Sequence, residues 1–106
     1  MLTELRTYRC APGRREEWLT LFHEVVLPFM ASRGMVVVAS YIDETDPDVH
    51  VWLRRFDDEA HRAKVHEAVY QDPTWKNEIV PRTKGLVVRE RIEVRRLVPT
   101  SGSPLR

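Results

Sequence analysis

The chain is short of the residues that most often announce a chemistry or a compartment. It has one cysteine, Cys10, so neither an internal disulfide framework nor a thiolate zinc cluster can form. It has three lysines against fourteen arginines. The arginines are scattered and matched by acids, and the net charge is +1, which leaves no electrostatic footprint for nucleic acid. The longest apolar run, Met35 to Ala39, is five residues, far below the roughly 18 that a spanning helix needs. The opening MLTELRTYRC has charge within its first four residues and lacks the basic-then-apolar order of a signal peptide. A reducing, cytoplasmic location without a membrane span is the expectation. There is no G-x-G-x-x-G, Walker loop, H-E-x-x-H or G-x-S-x-G, which speaks against nucleotide, P-loop and zincin chemistry. Neither a metal site nor a cofactor is expected.

What is present is an ordinary globular composition. The 106 residues are 42% hydrophobic and 31% charged, enough for one domain with its own core. Residues 2–10 read as a strand, with Glu4, Arg6 and Tyr8 on one face and Thr3, Leu5 and Thr7 on the other. Residues 14–32 read as a helix whose stripe runs through Trp18, Leu21, Phe22, Val25, Val26, Phe29 and Met30. Pro28 should kink its last turn, and Gly34 should cap it in the left-handed region. Residues 35–43 read as a second strand, apolar on both faces, with Met35, Val37, Ala39 and Tyr41 sharing one of them. After the acidic turn 44–48, residues 49–56 read as a third strand. Its faces are Val49, Val51 and Leu53 against His50, Trp52 and Arg54. Asp57 should cap a second helix running to about Gln71, with small apolar residues on its inner face. Asp72-Pro73 restarts a short helix carrying Trp75 and Ile79. Residues 85–98 read as a fourth strand and 99–106 as a polar tail without a packing signal, so the domain is placed at 1–98.

This order, β-α-β-β-α-β, is α+β and ferredoxin-like, with both helices on one face of a four-stranded antiparallel sheet. Two helices cover only one face of the sheet, and which face meets a partner chain stays open. His50 and Trp52 point away from the aliphatic face of the third strand, and an uncovered apolar face calls for a twofold homodimer, sheet against sheet.

Two stretches carry a family resemblance. ELRTYRCAPGRREEWLTLF resembles the opening of the NIPSNAP domain, a strand followed by a Pro-Gly turn and a helix. VHVWLRRFDDEAHRAKVHEAVYQDPTWK resembles the family's second signature, in which a strand leads into an Asp-capped helix and a D-P-x-W segment. The resemblance spans Glu4 to about Pro99. It departs at Cys10, where an aliphatic residue is more usual. It implies a dimeric α/β barrel and a stand-alone bacterial member without the long targeting extension of the mitochondrial animal proteins. The family has no established catalytic activity; the wider barrel group includes cofactor-free monooxygenases, cyclases, isomerases and haem proteins, an analogy of fold alone.

No catalytic residue can be assigned from these residues. The candidate ligand contacts are Arg6, Tyr8, Tyr41, His50, Trp52 and Trp75. A histidine beside a tryptophan in a cavity would bind an aromatic ligand or move a proton; equally, His50 would be a strand histidine hydrogen-bonded at a dimer seam. The aromatics would line a pocket for a planar molecule or simply fill the core. Glu4 and Arg6 would pair across the sheet with Arg89, Arg91 or Glu93, or an arginine would clamp a carboxylate or enolate oxygen. His23 is expected at a helix edge, His61 and His66 on the polar side of the second helix, and Cys10 is a lone thiol with no basic neighbour. Two functions follow. One is a dimeric small-molecule-binding protein or cofactor-free enzyme, with Tyr8, His50 and Trp52 in a pocket between helices and sheet. The other is a non-catalytic homodimeric interaction module with a filled core.

Overall fold

Alternation at the N-terminus produces strand β1 (Leu2–Arg9), which sits inside the sheet between β3 (Val49–Phe56) and β4 (Glu93–Leu97); β2 (Val36–Ile42) completes the order β2-β3-β1-β4. All three pairings are antiparallel. The computed structural model describes residues 1–106 and has the expected ferredoxin-like architecture. No helix is long and apolar enough to cross a membrane.

The first helical layer is α1 (Arg15–Leu21), a π turn at Phe22–Val26 and α2 (Leu27–Ser32). The layer is continuous, and the π turn just upstream of Pro28 replaces the expected kink in the last turn. The Leu27 N–H reaches back five residues to the Phe22 carbonyl, so the ladder is already re-registered where proline supplies no donor. Gly34 follows at φ +93°, a conformation that favours glycine. The second layer is α3 (Glu59–Tyr70), then a π turn at Trp75–Ile79 and α4 (Val80–Thr83). The same device recurs: the Val80 N–H bonds the Trp75 carbonyl just before Pro81. The α3 cap is Asp58, one residue later than expected, with its carboxylate accepting from the His61 N–H. Only Val65 and Val69 of α3 are buried; Ala60, Ala63 and Ala68 face solvent.

The helices lie on the face of β3 that carries His50, Trp52 and Arg54. Phe56, Arg54, Trp52 and His50 of β3 stand opposite Leu2, Glu4, Arg6 and Tyr8 of β1. His50, Trp52 and Arg54 are 0% exposed under the helical layer, while Val51 and Leu53 are only half-buried on the open face. The core joins this row to Trp18, Phe22, Val26 and Met30 from the first layer and to Val65, Val69 and Ile79 from the second. A large apolar side chain buried there contributes roughly 1.5–3 kcal/mol. The polar members are tolerated because they satisfy one another, as described below.

Two further departures have local causes. A bulge between Val37 and Ala39 shifts the β2–β3 register, so Val37 stands opposite Arg54 while Ala39 and Tyr41 stand opposite Leu53 and Val51. Tyr41 therefore joins the open face and is 62% exposed. The fourth strand is five residues, not fourteen: Cys10 and Val87 form an isolated bridge, and a 3-10 turn at Arg89–Arg91 intervenes. Residues 98–106 fold back beside Thr3, Leu53 and Arg55. There Arg55 Nη1 donates to the Arg106 carbonyl at 2.7 Å, so the tail docks despite its polar composition.

Candidate functional site

A cavity of about 220 Å³ lies between sheet and helices. Its floor is Arg6 and Tyr8 of β1 with Trp52 of β3. Trp18, Phe22, Val26 and Met30 form one wall. Four residues overshoot an α-turn by about 40°; the wider π turn within this segment takes that drift back, and the fourfold spacing stays aligned on the cavity. His66 and Tyr70 of α3, with Trp75, Val80 and Thr83, form the facing wall, and Val87, Arg89 and Ile92 close one end. Both π turns thus border the space. The rings pack on one another: Tyr8 stacks on Trp18 at 5.8 Å, Phe22 leans on Trp52 at 5.1 Å, and Trp75 meets Tyr70 edge-on at 5.1 Å.

Beneath the floor is a buried ion cluster. Glu4, 0% exposed, accepts from Arg54 Nε at 2.6 Å, Arg62 Nε at 2.7 Å and Arg6 Nη1 at 3.3 Å. Burial works to raise the Glu4 pKa, but Arg54 and Arg62, with Arg6, hold it down at about 2. Three guanidinium groups share the Glu4 carboxylate, and of the three only Arg62 meets a second acid, Glu59 at 3.5 Å, so positive charge is in excess. Arg54 is the cross-strand partner of Glu4, and Arg62 arrives from α3. These replace the expected partners Arg89, Arg91 and Glu93: the first two lie in the 3-10 turn, and Glu93 stands opposite Thr7.

Most polar groups at the cavity present donors, and His66 and Thr83 can also accept. Arg6 Nε and Nη2 donate to the Tyr8 hydroxyl at 3.3 and 3.2 Å, and Arg54 Nη1 donates to the Tyr70 hydroxyl at 2.7 Å. Each phenol oxygen is therefore occupied as an acceptor, and its own proton points elsewhere. Burial raises the Tyr8 pKa, against the pull of Arg6, so the phenol keeps that proton. Trp52 Nε1 and Arg54 Nη2 are buried without any partner, in a class of group that folded proteins almost always satisfy.

His50 lies outside this lining. Trp18 Nε1 donates to His50 Nδ1 at 3.0 Å, which leaves the His50 Nε2 proton for Ser40 Oγ at 2.8 Å. Ser40 continues to His23 Nε2 at 3.1 Å, and His23 Nδ1 reaches the Leu19 carbonyl at 3.0 Å. Burial, then the charges of His23 and Arg15, lower the His50 pKa to about 4. It is a neutral strut that orients Trp18, held under the helices and not at a seam. Of the six candidate residues, Arg6, Tyr8, Trp52 and Trp75 meet at the cavity; His50 stands behind its wall and Tyr41 on the far side of the sheet. Trp18, Tyr70, His66 and Arg89 join them. Trp18 was visible as part of the helical stripe. His66 was placed on the polar side of α3, but it packs on Tyr70 at 4.4 Å. Cys10 is buried, and burial with Asp48 nearby raises its pKa to about 11, which makes it a poor nucleophile. No group of three or more His, Cys, Asp or Glu is placed to hold a metal ion.

No curated protein matches this chain. Among solved structures, an antibiotic biosynthesis monooxygenase is 19% identical over 94% of this chain and 99% of its own, with a TM-score of 0.66, a likeness of fold alone. A NIPSNAP family protein of Agrobacterium tumefaciens is 28% identical, with 99% of this chain and 98% of that one covered and a TM-score of 0.81. An uncharacterized NIPSNAP domain protein of Burkholderia xenovorans is also 28% identical, over 98% and 99% of the two chains, at a TM-score of 0.81. The NIPSNAP family's sequence profile matches residues 3–104, nearly the whole chain, so this protein belongs to the NIPSNAP family.

Proposed function

We propose that this protein is a homodimeric, cytoplasmic small-molecule-binding protein, or a cofactor-free enzyme, whose ligand occupies the cavity between helices and sheet. One observation carries the reading: the aromatic cavity ends on a half-buried Arg6 and on Trp52, whose buried indole N–H has no partner. A tightly filled core would instead favour an interaction module. A few polar donors converging in an apolar cavity are the usual make-up of a ligand site. The cytoplasmic part rests on the lone free thiol.

The dimer reading rests on the open sheet face. Val51 and Leu53 are half-buried there and Val36 and Tyr41 exposed, although the helices lie on the other face and the tail reaches only the end near Thr3 and Arg55. Glu93 and Arg95 share that face and have no ion-pair partner within the chain. A twofold axis lets each meet its opposite in a second copy, which makes another copy of this chain the best-matched occupant. Native mass spectrometry of protein purified from its own host reads both parts at once. The expected result is a dimer carrying a reproducible small extra mass. A monomer overturns the dimer, and an empty chain that takes up no small molecule overturns the binding reading.

A further inference from the structure

From the excess of donors at this cavity, and resting on its reading as a ligand site, we infer that the ligand is a planar aromatic or conjugated acid, bound as its anion with the charged oxygen against Arg6, Tyr8 and Trp52. The cluster below Arg6 supplies three guanidinium groups and one carboxylate, and that carboxylate is already taken by all three. Tyr8 and Tyr70 both spend their oxygens on arginine hydrogens, so each hydroxyl presents a proton. Trp52 Nε1, in a side chain 0% exposed, presents another with no acceptor in the chain. A site in which N–H and O–H groups outnumber the acceptors, the His66 ring and the Thr83 hydroxyl, is matched by oxygens that only accept. The excess positive charge, with Arg6 and Arg54 sharing one carboxylate, favours a carboxylate or enolate over a neutral carbonyl, since charge-assisted bonds are the strong ones and a bidentate guanidinium fits a planar oxyanion. The flat body follows from the ring faces and edges that Trp18, Phe22 and Trp75 offer along the walls, where Tyr70, His66 and Thr83 are the few polar side chains. Arg89, exposed at one end of the cavity and unpaired, adds a positive charge that would draw such an anion in.

The test uses matched pairs that differ only in charge: benzoate and benzyl alcohol, 1-naphthoate and 1-naphthalenemethanol, 9-anthroate and 9-anthracenemethanol. Affinity for the full chain is read by calorimetry and by quenching of tryptophan fluorescence. The best-fitting carboxylate is expected to bind at least about tenfold more tightly than its alcohol, the scale of one hydrogen bond to a charged group. Arg6→Gln should erase that preference, bringing the carboxylate and its alcohol to equal affinity, and Arg6→Lys should restore part of it. Because Arg6 also touches Glu4, Trp52→Phe serves as a second variant that leaves the ion cluster intact, and it should lower carboxylate affinity several-fold. Equal or tighter binding of the alcohols overturns the anion inference and leaves the cavity reading standing. Binding of neither member of any pair overturns both.

Discussion

At the scale of single residues, the structure depends on polar groups that are buried because they satisfy one another. Glu4 is the clearest case. Removing its charge leaves Arg54 buried and uncompensated, with Arg62 and Arg6 losing the same partner. Breaking a buried pair from one side costs about 3–5 kcal/mol, a large part of a small domain's stability. Glu4→Gln is therefore expected to lower the urea midpoint severely, and the double variant Glu4→Met with Arg54→Met should cost less than Glu4→Gln alone. A double variant that is worse than the single would show that the cluster is a net source of stability. His50 makes a second prediction. Its folded pKa, about 4, lies below its ordinary 6.5, so the unfolded chain takes up the proton first as pH falls. Its contribution is complete above 6.5, declines as pH drops toward 4, and amounts to about 2 kcal/mol between pH 7 and pH 5. His66, also lowered by burial first and then by Arg54, acts in the same direction. Urea titrations at the two pH values should show the loss, and His50→Gln should reduce it. Glu4, held near 2 against 4.5, adds a separate loss only below pH 4.5.

At the scale of elements, both π turns end immediately before an X-Pro pair. A proline inside a regular helix costs roughly 3 kcal/mol. Here the turn upstream has already changed the hydrogen-bond register, so Pro28→Ala should change stability by less than about 1 kcal/mol in thermal unfolding. A gain of about 3 kcal/mol would mean that the proline is strained after all. The strands, the helices and their order were legible from period and caps because each is encoded within a few residues. The π turns were not: Pro28 signals a disruption, but whether the helix kinks or widens depends on what Phe22 and Val26 pack against. The position of Tyr41 was not legible either, because one inserted residue at Val38 reverses the side on which everything after it falls. The covered face of β3 stayed open for a related reason. Val51 and Leu53 look like core and Arg54 does not, until Glu4 stands opposite Arg54 and makes its burial tolerable. At the cavity, Arg6, Tyr8, Trp52 and Trp75 could be picked out as chemistry-bearing types. Trp18 stood out only as a member of the first helix's apolar stripe, and Tyr70 carried no signal of its own.

At the scale of the whole molecule, one sheet serves two surfaces. Arg6 and Trp52 face the cavity, while their neighbours Thr7 and Val51 face the open side. The tail covers only the end near Thr3 and Arg55, and the centre of the open side, at Val51 and Tyr41, has no cover from this chain. If a second copy covers it, Val51→Lys places an unpaired charge in the middle of the seam, where burying it is expensive. In the isolated chain the same lysine extends from a half-buried strand position into water, at a cost near that of an ordinary surface change. Light scattering after gel filtration at about 10 µM should then show the mass falling from dimer to monomer, with the far-ultraviolet spectrum unchanged. An unchanged dimer mass would place the seam elsewhere. The variant also separates the two surfaces. Because the cavity walls all come from one chain, the monomeric variant should bind the best carboxylate probe within about twofold of the parent. A monomer that loses the probe would show that the two sides of the sheet are coupled, with the seam holding β1 and β3 in the register that Arg6 and Trp52 require.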